Sequence, residues 1–216
     1  MSHSIKIKVC GVTDPDNARL AAEMGADFLG LNFYPASPRY VELDRALAIR
    51  AALGNANSGT RLVGVFVNRP RNEVEEIDAE LHLDFLQFSG DETPEDLTPF
   101  ADRAVKVLRA GGDLKEDELA RWQDTWAWLF DSPHPSLFGG TGRVWDFAAV
   151  SRWTGERRIF VAGGLGPDNV RQAIEASRPY AIDVCSRVES APGMKDPELL
   201  RQLFQEVRNA QSQTPP

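Results

Sequence analysis

The stretch Ile5-Lys6-Ile7-Lys8-Val9-Cys10-Gly11-Val12 decides how the chain is read. Ile5, Ile7 and Val9 alternate with Lys6 and Lys8, which is the period of a strand, and the β-branched residues suit a pleated surface. Gly11 follows Cys10, and Thr13-Asp14-Pro15 reads as a helix start, so Cys10 falls where the strand ends. The C-terminal end of a strand, at the turn into a helix, is where α/β proteins place chemistry. A single cysteine on an apolar strand is ordinarily a small buried hydrophobe. The chemical reading gains weight because the strand–turn–helix unit repeats down the chain.

The next units follow in order. Apolar spacing predicts a helix over 14–24 ended by Gly25, and a strand over 26–33 followed by the loop Tyr34-Pro35-Ala36-Ser37-Pro38-Arg39-Tyr40. A helix over 42–53 leads to a strand over 60–68, a nearly continuous apolar run of the kind found in parallel sheets covered on both faces. A helix over 72–81, a strand over 84–89 and a helix opened by Thr93-Pro94-Glu95-Asp96 come next, the last with a capping Thr, Pro at the first helical position and an acid at the third. Strands over 104–109 and 126–130, the latter ending at Asp131, flank a helix over 115–122. A long loop over 132–145, a helix from about 146, a strand over 158–162, a helix over 167–176, a strand over 180–185 and a last helix opened by Asp196-Pro197-Glu198 complete the pattern.

Eight strand–helix units in 216 residues, joined by right-handed crossovers, favour a single-domain (β/α)8 TIM barrel over 1–210, with 211–216 as a frayed tail. An open doubly wound sheet is the runner-up. In a closed barrel all strand C-termini open on one face, so Cys10, Arg39, Ser89, Asp131, Gly163-Gly164 and Ser186 converge there.

Composition narrows the function. A net charge of −8 argues against nucleic acid or an anionic membrane as the partner. Cysteines only at 10 and 185 suggest no disulfide scaffold, and with no apolar leader at the start the expected setting is a reducing cytoplasm. The three histidines lack metal-ligand spacing, so no metal is expected.

Several residues carry chemistry. Gly163-Gly164 and Ser186-Arg187 follow the seventh and eighth strands, where such barrels commonly cradle phosphate on backbone N–H groups and a helix start. Asp131 closes an otherwise apolar strand; it is either a cap or rim ion pair, or a general acid in a partly buried setting. Arg39, in a proline-stiffened loop, is either a surface residue or a bidentate clamp for a carboxylate. Gly139-Gly140-Thr141-Gly142, after Asp131, reads as a loop able to cover the site.

Together these residues resemble the phosphoribosylanthranilate isomerases of tryptophan biosynthesis. The resemblance rests on Lys8-Val9-Cys10-Gly11-Val12-Thr13, Phe33-Tyr34-Pro35 with Ser37-Pro38-Arg39-Tyr40, Val63-Gly64-Val65-Phe66-Val67-Asn68, Leu129-Phe130-Asp131-Ser132, Gly139-Gly140-Thr141-Gly142, Ala162-Gly163-Gly164-Leu165 with Pro167-Asp168-Asn169-Val170, and Asp183-Val184-Cys185-Ser186 with Val188-Glu189 and Pro192-Gly193-Met194-Lys195-Asp196. It implies a (β/α)8 barrel that needs no cofactor, acts on a small phosphorylated substrate as monomer or homodimer, and catalyses an Amadori rearrangement. By position, Cys10 resembles the general base, Asp131 the general acid, Arg39 the anchor of the anthranilate carboxylate, and Asp183 the acid near the substrate's amino nitrogen. Gly163, Gly164 and Ser186 resemble the phosphate cradle.

The chain departs from the family pattern twice. Phe88-Ser89-Gly90 stands where Leu-His-Gly is common, which removes an imidazole. Ser186-Arg187-Val188-Glu189 stands where Ser-Gly-Val-Glu is common. Should that position need a positive φ, Arg187 adds strain of roughly 1–2 kcal/mol; its side chain either grips the phosphate or, as the expectation slightly favours, faces solvent. Two other functions compete: a phosphate-binding barrel acting on another aminoaldose or as a lyase with a catalytic lysine, and a non-catalytic ligand-binding barrel. Lys106 lies inside its strand rather than at the end, which weakens the lyase, and the presence of both Cys10 and Asp131 weakens the binding protein.

Overall fold

A computed structural model describes residues 4–54, 59–110, 115–132 and 145–212. Its eight strands are β1 (Lys6–Cys10), β2 (Phe28–Asn32), β3 (Arg61–Phe66), β4 (Phe85–Phe88), β5 (Ala104–Arg109), β6 (Ala127–Asp131), β7 (Ile159–Val161) and β8 (Ala181–Val184). They pair in parallel in chain order, and β8 pairs with β1 to close the barrel. The helices α1 (Pro15–Glu23), α2 (Leu43–Gly54), α3 (Arg71–Leu81), α4 (Pro94–Leu97), α5 (Glu116–Ala120), α6 (Val170–Ser177) and α7 (Pro197–Ser212) lie outside the barrel. Asp14 caps α1 by accepting from the N–H groups of Asp16 and Asn17, and Thr93 with Asp96 forms the capping box of α4. Among the described residues, no helix is long and apolar enough to cross a membrane.

The strands read as apolar runs because both of their faces are buried. One face packs outward on helix stripes such as Val74, Ile77 and Leu81 of α3 and Leu200, Leu203, Phe204 and Val207 of α7. The other fills the barrel with Phe28, Val63, Phe85, Val105, Leu129, Phe160 and Ala181. At the N-terminal end of the barrel Trp126 packs on Phe85 with ring centroids 4.0 Å apart, and on Phe28, Phe160 and Tyr180 at 6.3, 5.9 and 5.9 Å. The Arg61 guanidinium lies 4.3 Å over the Phe28 ring. These side chains form a floor beneath the interior.

The structure departs from the expected elements in three places. The segment from 146 is a 3-10 helix, Phe147–Trp153, because its buried residues Phe147, Val150 and Trp153 recur every third position, the period of that helix. After β8 the chain makes a short 3-10 turn (Ser186–Val188) and a two-stranded ribbon, β9 (Glu189–Ala191) with β10 (Met194–Lys195). α7 continues through Ser212, two residues into the expected tail, and Gln211 Nε2 donates to the Ile5 carbonyl at 2.9 Å. The loop Gly139-Gly140-Thr141-Gly142 lies outside the described residues.

Candidate active site

The C-terminal ends of the strands surround a cleft of about 1110 Å³, counting its open mouth. Cys10, Arg39, Ser89, Asp131, Gly163, Gly164, Asp183 and Ser186 all line it, so the residues expected to converge do so. Arg187 stands at the edge, bound to Gly164 of the cleft wall.

Alternation along β1 turns Lys8 and Cys10 to the barrel interior. The register sets Lys8 opposite Asp183 of β8, and Lys8 Nζ lies 2.9 Å from Asp183 Oδ2. Both side chains are buried, at 1% and 8% exposure. Burying such a pair costs several kcal/mol per ion before the attraction offsets it, so the pair is weak as a source of stability and better placed as site electrostatics. Burial works against the Lys8 charge, yet Asp183 and Cys10 more than offset it and hold the ammonium above its ordinary value. Burial also pushes Asp183 up to about 7, with the Cys10 and Asp131 charges adding to the rise and Lys8 opposing it. Asp183 Oδ1 is buried without a hydrogen-bond partner and lines the cleft with an acceptor to spare.

Cys10 is held well below the ordinary thiol value. A hydrogen bond with Cys185 is the largest cause; burial opposes it, and the Lys8 and Lys195 ammoniums reinforce it. Lys8, two residues upstream on the same face of β1, is therefore among the charges that support the thiolate. Gly11 is required beside it: φ is +68°, and a Cβ there would stand 2.5 Å from Arg39 Cδ.

Arg39 is locked from both sides. Ser37 Oγ accepts from its backbone N–H at 3.1 Å, and Glu189 takes its Nε at 3.0 Å and its Nη2 at 2.7 Å. Glu189 also holds Lys195 Nζ at 2.7 Å, and the Glu189 and Lys195 side chains are 3% and 0% exposed. One edge of the guanidinium is thus fixed by Glu189 while the residue faces the cleft, a preorganised fork for an anion. Sequence reasoning assigned no part to Lys195, Glu189 or Gln87. Glu189 and Lys195 meet only through the β9–β10 ribbon, which no periodicity announces.

Asp131 ends β6 with Oδ1 accepting from Ser132 N at 2.7 Å and Ser132 Oγ at 3.4 Å. Ser89, which stands in place of an imidazole in the pattern noted above, accepts at Oγ from Gln87 Nε2 at 3.2 Å, and Gln87 Oε1 is buried without a partner in the same wall. Lys106 points away, to the Gly90 carbonyl and Glu92 Oε2, each at 2.8 Å, so it has no place in the cleft.

At the other side of the mouth, Gly163 and Gly164 adopt φ of +90° and +66°. A Cβ on Gly163 would come within 2.7 Å of Ser132 N, so only glycine fits. Asn169, just before α6, accepts from Gly166 N at 2.8 Å and donates to Gly164 O at 2.9 Å, which fixes this turn at the helix start. The condition for strain at Arg187 is not met: among the described residues, those other than glycine at positive φ are Asn68, His82 and Arg178. Its side chain is partly exposed but tied down. Nη1 donates to Gly164 O at 3.1 Å and Nη2 pairs with Asp168 Oδ2 at 2.6 Å, which ties the loop after β8 to the loop after β7.

A family profile described as PRAI, N-(5'phosphoribosyl)anthranilate (PRA) isomerase, matches residues 7–206. An N-(5'-phosphoribosyl)anthranilate isomerase of Azotobacter vinelandii is 43% identical over 210 residues, 96% of this chain and 99% of that protein. One of Geobacter metallireducens is 39% identical over 206 residues, 94% and 99% of the two chains. The crystal structure of phosphoribosyl anthranilate isomerase from Thermotoga maritima superposes with a TM-score of 0.86 at 28% identity, covering 95% of this chain and 99% of that one. A further structure, of the same enzyme type in complex with reduced 1-(o-carboxyphenylamino)-1-deoxyribulose 5-phosphate, gives 0.83 at 27% identity with the same coverage. A barrel with this cleft, a profile matching most of its length and relatives that align end to end lead to one conclusion: the chain belongs to the N-(5'-phosphoribosyl)anthranilate isomerase family.

Proposed function

We propose that Cys10 is the general base and Asp131 the general acid of the reaction this family membership gives the chain. That reaction is the Amadori rearrangement of N-(5'-phosphoribosyl)anthranilate to 1-(2-carboxyphenylamino)-1-deoxyribulose 5-phosphate in tryptophan biosynthesis. The observation that carries the assignment is that a thiolate beside Lys8 and a strand-end carboxyl open onto one cleft, from β1 and β6.

Asp131 gives its proton to the furanose ring oxygen as the C1–O bond breaks, and the nitrogen lone pair closes a protonated Schiff base. Cys10 removes the proton from C2; the C–H electrons form the C1=C2 bond and neutralise the iminium. The enolamine then takes a proton at C1 and loses the one on its C2 hydroxyl, giving the ketone. Asp183 Oδ1 accepts from the anilinic N–H, Arg39 clamps the carboxylate, and the phosphate sits on the backbone of Gly163, Gly164 and Ser186 at the start of α6. Arg187 holds these two phosphate loops together. Two free cysteines at the site suit a reducing cytoplasm, where we place the protein, and the chemistry calls for no partner beyond the substrate, in a monomer or a homodimer.

The primary test generates phosphoribosylanthranilate in situ and follows loss of its fluorescence on adding the protein; no loss would reject the activity. In the same assay Arg39→Ala raises KM about tenfold or more and lowers kcat less, as expected for a charged hydrogen bond of about 1.5–3 kcal/mol. An unchanged KM would remove Arg39 from substrate binding.

Arg187→Gly weakens binding of a phosphorylated product analogue by about two- to fivefold, the scale of a partly exposed ion pair worth up to about 1 kcal/mol. The variant also loses part of the salt dependence of that binding, because one cation near the anion is gone. Equal affinity at all salt concentrations would make Arg187 a surface staple without bearing on phosphate.

A further inference from the structure

Among the described residues, three buried side-chain polar atoms have no hydrogen-bond partner: Arg69 Nε, Asp183 Oδ1 and Gln87 Oε1. Arg69 Nε stands 3.0 Å from Glu73 Oε2 as an ion pair, so its charge is met. The other two atoms are acceptors, and both residues line the cleft. The reaction scheme gives Asp183 Oδ1 the anilinic N–H and gives Gln87 no part.

The place of Gln87 follows from β4. Phe85 belongs to the packed barrel interior, so alternation turns Gln87 inward one layer higher and brings Ser89 to the rim. The register sets Gln87 between Val65 of β3 and Val105 of β5. The wall around it is apolar, with Val65, Val107 and Leu129 lining the cleft from β3, β5 and β6. Gln87 itself is 6% exposed. Its Nε2 donates to Ser89 Oγ at 3.2 Å, which fixes the amide and leaves Oε1 bare. A buried amide oxygen without a donor costs free energy that an apolar side chain in this layer would not.

The chemistry of the substrate says what the missing donor is. Its carboxylate and phosphate present acceptors; its donors are the anilinic N–H and the sugar hydroxyls. In the closed ring of eight strands β4 lies opposite β8, so Gln87 and Asp183 face the cleft from opposite walls, and one N–H cannot serve both. We propose that Gln87 is a specificity-determining residue: its Oε1 accepts from a sugar hydroxyl of the substrate, on the wall opposite Asp183. The choice of a hydroxyl rests on the placement of the anilinic N–H at Asp183. A site that offers a buried acceptor to a hydroxyl rejects ligands lacking it, because the acceptor is then left unpaired.

The test compares two ligands that do not turn over. One is the product reduced at its ketone. The other is anthranilate N-alkylated with a pentyl phosphate chain, which keeps the carboxylate, the N–H and the phosphate at the same spacing and has no hydroxyl. Dissociation constants are measured by calorimetry for the wild-type protein and for Gln87→Met, whose side chain has the same length and no oxygen. Gln87→Met weakens the reduced product by about tenfold, since a buried hydroxyl loses its acceptor, and binds the pentyl phosphate within about twofold of the wild type. Its melting temperature equals or exceeds that of the wild type, because an unpaired buried oxygen has left the free protein. Equal affinity of the two proteins for the reduced product overturns the proposal and leaves the Asp183 placement standing. A parallel loss on both ligands overturns it as well: with a native melting temperature it moves the anilinic N–H from Asp183 to Gln87, and with a lowered one it marks a packing role.

Discussion

Asp131→Asn lowers kcat by about 10²–10⁴, the range a general acid supplies. The barrel survives the change, because an amide oxygen accepts the Ser132 N–H and hydroxyl contacts as the carboxylate does. What the amide lacks is a proton acidic enough to follow the C1–O bond as it breaks. The loss therefore falls on ring opening, with binding of the product, whose ring is already open, near the wild-type value. The basic limb of the pH profile, which reports the protonated acid, disappears in the variant. Activity near that of the wild type would take Asp131 out of the mechanism and leave it as a cap on the turn after β6.

Cys10→Ser has a comparable effect, about 10²–10⁴ in kcat. A serine hydroxyl next to Lys8 stays protonated at neutral pH, so the C2 proton has no base to take it. The pH dependence carries a second signature. Asp183 is pushed up to about 7, so below that pH its carboxyl carries a proton and no longer accepts as a carboxylate from the anilinic N–H; above it, it does. Wild-type kcat/KM accordingly falls as pH drops through about 7. The Cys10 thiolate is among the causes of that elevation, so in Cys10→Ser the carboxyl ionises at lower pH and the acid limb of the residual activity moves down. A variant that keeps full turnover, or whose acid limb stays put, contradicts the arrangement.

The barrel was legible because both of its periods are written in the chain: alternation or apolar runs for the strands, and capping signals such as Asp14-Pro15 and Thr93-Pro94 for the helices. Convergence of Cys10, Asp131 and Gly163-Gly164 followed from the barrel alone, since all stand at strand ends. What escaped were contacts between residues whose positions depend on register rather than period. Lys8 could be placed on the side of Cys10, but its bond to Asp183 needs the β1–β8 pairing. Glu189 and Lys195 are brought together by a ribbon too short to leave a pattern. The backbone at Arg187 was open for a different reason. Its replacement of a family glycine left undecided whether the position is left-handed, and the 3-10 turn at Ser186–Val188 requires no such conformation.

The aromatic floor made by Trp126, Phe28, Phe85, Phe160 and Tyr180 has a kinetic consequence. A tunnel open at both ends would let product leave below while substrate arrives above. This interior is stoppered, so traffic is single-file through one doorway, and each ketose must back out along the path by which the aldose came in. The two ligands then exclude each other, and the product acts as a purely competitive inhibitor whose departure sets the ceiling on turnover once the chemistry is fast.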